Sequence, residues 1–227
     1  MSIRIGIYDF FAYLIPGVFY LLVAAFGLTM FGIVNIDLAQ LMDISLFGFL
    51  VLLAAGFIVG LLFDLLAYKW FLLFRKRNSM ARQEAFDAIL KKYPWLELGF
   101  QPEEYSLMLK AIKIQIPEAT MDIEHHNAIH IMFRNISLGL FIASLIFLLV
   151  FIIVFTHIGN LALAIFAFLL SYLAIDRSAQ RRRWFYMDTY EAFVTNILLQ
   201  QKKLDGKVEL KQTKPKVVAV NEEMDEG

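Results

Sequence analysis

The sequence predicts an all-α integral membrane protein with four transmembrane helices and a small helical cytosolic insert. Hydrophobic residues make up 59% of the 227 residues, against about 45–50% in a typical soluble domain. Mean hydropathy is +0.63, and the chain contains several long runs without a charged side chain. Such a chain has too little polar surface to cover a water-soluble enzyme. Cysteine is absent, which excludes disulfides, thiolate nucleophiles and cysteine metal sites.

The first two predicted spans lie in residues 1–75. Phe10 to Val34 is a run of 25 residues without a charge, and Ile44 to Phe63 is a run of 20. At about 1.5 Å per residue the first run reaches about 37 Å, enough to cross a hydrocarbon core of about 30 Å. This run is longer than the apolar part of a signal peptide and has no small-x-small cleavage site, so we expect it to be retained. Pro16 and Gly17 predict a kink near its start.

The third and fourth predicted spans lie in residues 135–176. Asn135 to Ile175 is a stretch of 41 uncharged residues, interrupted by Thr156 to Asn160. Two spans joined by a tight turn fit that length and that interruption, so we expect a helical hairpin.

Basic residues predict the orientation. The segment between the first two spans carries Asp37 and Asp43 but no Lys or Arg, and the hairpin turn carries neither. The 21 basic residues lie on the other side, which the positive-inside rule places in the cytosol. We therefore expect a bacterial inner-membrane protein with both termini cytosolic. Because 21 acidic residues balance the basic ones, net charge argues against a nucleic-acid binder.

Residues 76–134 form the predicted cytosolic insert, with three helical patterns at Ser79 to Tyr93, Pro102 to Ile116 and Glu118 to Arg134. Residues 177–204 continue the fourth span as an amphipathic helix, and 205–227 have the composition of a disordered tail. An insert this small buries little surface alone. We expect it to pack on extensions of the second and third membrane helices, on its copies in a homo-oligomer, or on a partner.

Small residues mark predicted helix-packing faces, because they let helix backbones approach closely in lipid. A chance occurrence is the alternative, since Gly is frequent in membrane helices. The predicted packing residues are Gly56, Gly60, Gly139, Ala143, Ala167 and Ser171.

Charged residues at the predicted membrane boundary form a second candidate set. These are Asp9, Asp64, Lys69, Arg134, Asp176 and Arg177. A carboxylate near hydrocarbon needs a basic partner or water, so the set is either a ring of interhelical ion pairs or part of a proton or cation path. Asp64 is the most deeply placed acid, and we expect Lys69, Arg134 or a residue of another helix to pair with it.

Basic residues next to aromatic ones at helix ends predict contact with lipid headgroups. The set is Arg75, Lys76, Arg77, Arg181, Arg182, Arg183 and Trp184. Single-stranded nucleic acid uses similar chemistry, but the position beside a membrane helix favours lipid.

His126 and His130 are weak metal candidates because they stand one helical turn apart. Zinc needs a further ligand, so a solvated or pH-sensitive helix face is the favoured alternative, and no cofactor is expected. The chain has no GxSxG, Walker A or dinucleotide-binding motif.

The opening YDFFAYLIPG (Tyr8 to Gly17), followed by three spans and a cytosolic insert, resembles small bacterial inner-membrane proteins of phage-defence systems. These include the Kiwa membrane subunit and the CRISPR-associated membrane effector. The resemblance covers residues 8–176 and implies a multimeric membrane component that responds to a cytosolic partner or signal and acts on the membrane. Because the sequence shows no catalytic constellation, we expect a non-enzymatic protein, and we expect the cytosolic partner or signalling ligand to bind at residues 79–133. A housekeeping channel or transporter is the alternative, and a membrane-anchored lipid enzyme using Asp64, Asp176, His126 and His130 is a third class.

Overall fold

The computed structural model describes residues 8, 10–35, 45–94, 101–154 and 158–204, without the side chains of 75–79, 154 and 201–204. All regular structure in these residues is helical, which confirms the all-α prediction. The helices are α1 (Ile15–Met30), α2 (Leu46–Leu72), α3 (Arg75–Lys92), α4 (Tyr105–Gln115), α5 (Pro117–Val154) and α6 (Ile158–Leu204). A π-helical turn (Phe10–Leu14) precedes α1, and a 3-10 turn (Pro102–Glu104) precedes α4.

Four of these helices are long and apolar enough to cross a membrane: α1 with its π turn, α2, α5 and α6. The chain is therefore a multi-pass membrane protein. With 38 and 47 residues, α5 and α6 reach about 57 and 70 Å, so both extend far beyond a hydrocarbon core of about 30 Å. The predicted disordered tail at 205–227 and the loop with Asp37 and Asp43 lie outside the described residues.

The long helices α5 and α6 form an antiparallel hairpin. Ser137 lies opposite Ser171, His130 opposite Ser178, and Ser144 opposite Ala164. The two residue numbers add to the same value in each pair, so one register holds along both helices. As predicted for Glu118 to Arg134, α5 runs without a break into the third span, and it begins at Pro117. The fourth span continues unbroken to Leu204, also as predicted.

The pair α1 and α2 packs on one side of this hairpin. Gly17 of α1 meets Gly56 of α2, and Tyr13 meets Gly60, so these two helices are also antiparallel. A small buried cluster joins them to α5 and contains Tyr20, Ala67 and Leu138.

A helical lobe forms where α3 and α4 pack on the parts of α5 and α6 beyond the uncharged spans. We call it the cytosolic lobe after the side of the membrane that the basic residues predict for it. Its buried core consists of Ala85, Phe86, Ile89, Met108, Ile112, Ile123, Phe185, Tyr186, Tyr190 and Val194. At the centre lies Tyr190, whose hydroxyl donates a hydrogen bond to the backbone oxygen of Pro102 at 2.8 Å.

The location of this core corrects one expectation. The insert packs chiefly on the extensions of the third and fourth membrane helices, rather than on those of the second and third. The extension of α6 was predicted to have an apolar face of its own to bury, and the lobe covers it. Because the two faces cover each other within one chain, they no longer argue for a homo-oligomer, which stays a prediction.

Candidate functional site

Charged residues on three helices mark the membrane boundary at one depth. Arg134 of α5 is ion-paired with Asp64 of α2 at 2.5 Å. The hairpin register places Arg134 level with Ala174 of α6, two residues before Asp176. The uncharged spans of α2, α5 and α6 therefore end in one plane, which is what the edge of a hydrocarbon layer requires.

Asp64 is the centre of a polar cluster in that plane. Asn135 Nδ2 donates to Asp64 Oδ1 at 3.1 Å and lies 3.3 Å from the backbone oxygen of Ala12 in the π turn. Tyr20 of α1 donates to the backbone oxygen of Asn135 at 2.7 Å. The guanidinium of Arg134 also lies over the Tyr68 ring, 5.4 Å from its centre. The cluster thus joins α1, α2 and α5 where they enter the membrane.

The sequence analysis left the partner of Asp64 open, and the structure selects one of the residues that it named. Arg134 forms the ion pair, whereas Lys69 is exposed. The sequence reasoning missed Asn135 and Tyr20, although a signal existed. Asn135 is the first residue of an apolar span, and a buried amide there needs a polar partner.

The remaining boundary residues do not converge on this cluster. Asp176 and Arg177 are exposed, and Arg177 Nη1 donates to Gln180 at 2.8 Å on the same helix. Asp9 lies outside the described residues. Of the expected ring of ion pairs, the structure brings together Asp64 and Arg134.

The predicted small-residue face of α2 forms a contact between backbones. A Cβ atom added to Gly60 would lie 2.0 Å from the backbone oxygen of Tyr13. One added to Gly17 would lie 1.7 Å from the backbone oxygen of Gly56. Real Cβ atoms do not approach backbone this closely, so α1 and α2 need glycine at these positions. The GxxxG face therefore packs within the chain.

The other small residues have separate roles. A Cβ on Gly139 would lie 2.7 Å from the Phe19 ring of α1. Ala143 and Ala167 line an apolar cleft of about 340 Å³ between α1, α5 and α6. Ser171 belongs to the hairpin itself, where its hydroxyl donates to the backbone oxygen of Ser137 at 2.8 Å.

A second polar joint lies just below the boundary, between α5 and α6. His130 is buried, and its Nδ1 lies 2.9 Å from the backbone oxygen of Ser178. Its Nε2 lies 3.3 Å from Arg182 Nη1. A carbonyl only accepts and a guanidinium only donates, so we assign the neutral tautomer with its proton on Nδ1. His130 thus bonds at both ring nitrogens within the protein.

The predicted lipid-binding arginines on α6 have protein partners. Arg181 lies over the Trp184 ring at 4.6 Å, and Arg182 Nε donates to the Tyr186 hydroxyl at 3.1 Å. Arg183 forms an ion pair with Glu84 of α3 at 3.1 Å and is 45% exposed. The side chains of Arg75, Lys76 and Arg77 lie outside those described.

A cleft of about 650 Å³ opens in the cytosolic lobe between the start of α5 and the end of α6. Its lining is mainly apolar and includes Ile123 and Leu199. Asp122, Asp188 and Glu191 supply negative charge at the same cleft.

His126 also lines this cleft, with its Nε2 3.2 Å from Asp188 Oδ2. Within the described residues no three His, Asp or Glu side chains are grouped so that they could hold a metal ion. The geometry therefore gives His126 an acidic partner in the cleft, while His130 lies in the buried joint.

Comparison of the chain with protein-family models, with curated proteins and with solved structures finds no match.

Proposed function

We propose that this protein is a non-enzymatic membrane protein that couples a cytosolic partner or ligand to the bilayer. The observation that carries the proposal is the continuity of α5 and α6, which form one side of the cytosolic core and also cross the membrane. A helix without a break transmits displacement along its length, because its backbone hydrogen bonds resist local bending. A change in the lobe therefore has a direct mechanical route into the membrane.

The cytosolic cleft is the proposed input site. It lies between α5 and α6 themselves, so any occupant touches both helices at once. The apolar lining with Asp122, Asp188 and Glu191 favours a partner that presents basic and apolar groups together. An occupant that fits one spacing of the two helices better than another shifts the equilibrium between those spacings.

Polar joints are the proposed route from the cleft to the membrane. Below the boundary, His130 bonds to Ser178 and Arg182. Above it, Ser137 and Ser171 exchange hydrogen bonds, and Trp70 of α2 donates to Ser137 at 3.1 Å. A shift of α5 against α6 at the cleft would change the contacts of His130 first and then those of Trp70.

The proposed setting is a bacterial inner membrane, with both termini cytosolic and several copies assembled as the membrane component of a phage-defence system. The distribution of basic residues supports the orientation. The resemblance of Tyr8 to Gly17 and of the span order supports the defence role and the homo-oligomer. Mass measurement in mild detergent tests the assembly, and plating of phage on cells that express the chain with its neighbouring genes tests the role.

A channel or transporter is the competing function, and the polar cluster at Asp64 is the observation that favours it. A conducting path needs polar groups through the membrane, whereas this cluster lies at the boundary plane. Asp64→Asn separates the two functions. If this variant folds normally but loses activity together with proton or cation flux in vesicles, the transport function is supported instead.

The experiment for coupling uses fluorotryptophan at Trp70 as a reporter. Trp70 stacks on Phe141 at 4.2 Å and bonds to Ser137, so its fluorine resonance senses the hairpin at the membrane edge. Ala119→Cys with Ala192→Cys places one thiol on each side of the cleft, and the chain has no other cysteine. Crosslinkers of two lengths then fix two cleft widths, and we expect the Trp70 resonance to differ between them.

The matched control inserts two glycines after Gln180, between cleft and boundary, in the same double-cysteine protein. Flexible backbone there should reduce the difference, because α6 then no longer transmits the change and α5 alone remains continuous. A Trp70 resonance that is identical for both crosslinker lengths in the uninterrupted protein would contradict the coupling proposal. The Trp70→Phe variant assigns the resonance.

A further inference from the structure

A second cleft lies between α3 and α6, on the membrane side of the cytosolic lobe. Its volume is about 700 Å³. Among the side chains that the structure describes, two arginines and two carboxylates line it, together with Gln180 and a few apolar residues. The charged lining residues are Glu84 on α3 and Asp176, Arg177 and Arg183 on α6.

The depth of this cleft coincides with the lipid headgroups. Asp176 is the first charged residue after the uncharged span of α6, level with the Asp64–Arg134 plane. The backbone of Arg183 lies seven residues further on, about 10 Å along the helix axis, just past a headgroup layer of about 5–8 Å. Long side chains on a helix lean toward its N-terminal end, which for α6 is the membrane side, so the guanidinium is directed back toward the headgroups. The exposed apolar Leu173 closes the membrane end of the cleft. A lipid beside α6 therefore places its headgroup against these four charges.

Arg177, Arg183 and Glu84 in the cleft have unused hydrogen-bonding capacity. Arg183 makes one recorded ion pair, with Glu84, and Arg177 one recorded hydrogen bond, to Gln180, whereas a guanidinium carries five N–H donors. Each carboxylate has about four acceptor positions. Glu84 is 46% exposed and Asp176 is exposed as well. The cleft can therefore accept a further anion and a further cation without losing its internal bonds.

We propose that this cleft binds a zwitterionic phospholipid with a primary ammonium group, of the phosphatidylethanolamine type. Arg177 and Arg183 hold the phosphate, since guanidinium groups match phosphate geometry. Asp176 and Glu84 accept hydrogen bonds from the ammonium group. A choline headgroup has the same charge but no N–H donor, so it cannot satisfy the carboxylates. An anionic headgroup without a cation meets two carboxylates of its own sign.

The test measures thermal unfolding of the delipidated full chain in mild detergent with added lipid. The lipids are phosphatidylethanolamine, its N-methylated series up to phosphatidylcholine, and phosphatidylglycerol, all with the same acyl chains. We expect affinity to fall with each methyl group, by about tenfold in total, since one charge-assisted hydrogen bond has that value. Equal affinity for ethanolamine and choline lipids in the wild type would overturn the proposal.

Variants locate the site. Glu84→Gln with Asp176→Asn should abolish the preference for ethanolamine over choline, and Arg183→Gln should weaken binding of both lipids. Asp87→Asn is the matched control, because Asp87 is an exposed carboxylate on α3 that does not line the cleft. A preference that survives the double variant would place the ethanolamine site elsewhere and refute the assignment.

A soluble analogue of the headgroup tests whether the cleft binds a lipid or a soluble phosphate ester. Glycerophosphoethanolamine carries the same phosphate and ammonium groups but no acyl chains. We expect it to leave the unfolding temperature unchanged at concentrations at which the lipid saturates. A shift as large as that with the lipid would assign the cleft to a soluble phosphate ester and overturn the lipid proposal.

Discussion

The same two helices, α5 and α6, are held together by different chemistry on the two sides of the membrane boundary. In the membrane they meet through serine hydroxyls and small residues, as at Ser137, Ser144 and Ser171. In the cytosolic lobe they meet through a buried aromatic and aliphatic core around Tyr190 and Ile123. In lipid there is no hydrophobic driving force for helix association, so close packing and hydrogen bonds hold the helices together there. In water the burial of apolar surface drives association, and large side chains bury the most apolar surface.

The largest expected effect comes from Gly60→Leu, which disrupts helix packing in the membrane through the size of the new side chain alone. Its Cβ would overlap the backbone oxygen of Tyr13, and backbone cannot move aside as a flexible side chain can. Leu inserts into lipid at least as well as Gly, so membrane insertion should be unchanged while α1 and α2 separate. We expect more than the 1–3 kcal/mol or so that overpacking usually costs, measured as unfolding by SDS in mixed micelles.

Gly159→Leu is the control for this variant. A Cβ at Gly159 meets no described atom within 4 Å, so the same substitution should have little effect there. Gly60→Ala should already destabilise, because the overlap begins at Cβ. If Gly60→Ala unfolds like the wild type, the close approach of α1 and α2 is wrong.

The next largest effect tests the boundary itself, through Asp64→Ala. Removing the carboxylate leaves Arg134 buried without its ion-pair partner and removes one of the two acceptors of Asn135 Nδ2. Breaking a buried pair in this way costs about 3–5 kcal/mol. We expect about 3 kcal/mol, the lower end of that range, because the Asp64 side chain is 27% exposed. The free energy of unfolding in detergent checks this.

A double variant removes the ion pair as a whole. Replacing Asp64 with Leu and Arg134 with Met together removes both charges, so no charge remains stranded. We expect this variant to be more stable than Asp64→Ala alone. If it is less stable, the loss in Asp64→Ala comes from something other than the unpaired guanidinium.

The features that could be predicted from the sequence were those that depend on the length of uncharged runs and on the charged residues at their ends. Uncharged length predicted all four membrane helices, and the helical patterns at Glu118 to Arg134 and at 177–204 predicted how α5 and α6 extend beyond them. Charge predicted that Asp64 needs a partner and named Arg134 among the possible ones. The reason is that span length and charge cost act along one helix at a time.

Features that depend on which helices face each other were not predictable from one sequence. The GxxxG pattern indicated a close contact, but not that α1 supplies the other face. The apolar face around Tyr190 was evident, yet nothing in its spacing showed that α3 and α4 would cover it within the same chain. Periodicity shows which face of a helix is apolar and leaves its partner undetermined.

Tyr190→Phe tests how much a single hydrogen bond contributes in the cytosolic lobe. The ring stays in the core, and the hydrogen bond to the Pro102 carbonyl is lost. The loss should be about 1 kcal/mol, plus part of the cost of leaving that carbonyl without its partner. Hydrogen exchange at α4 should rise as well, since this bond anchors the 3-10 turn before it. An unchanged stability together with unchanged exchange at α4 would contradict this role for the hydroxyl.

Ser144→Ala is the smallest expected effect and the closest test of the comparison. Ser144 donates to the backbone oxygen of Ala164 at 2.9 Å in the membrane part of the hairpin. That oxygen can still accept the backbone bond of its own helix, so the substitution strands no polar group. Interhelical bonds of this kind average about 0.6 kcal/mol in lipid, and we expect a similar loss in the free energy of unfolding. Ser106→Ala, at an exposed serine on α4, should cost nothing measurable. If Ser144→Ala costs more than Tyr190→Phe, single hydrogen bonds contribute more in the membrane than in the lobe. The hairpin would then depend on those bonds rather than on the close packing that Gly60→Leu is designed to break.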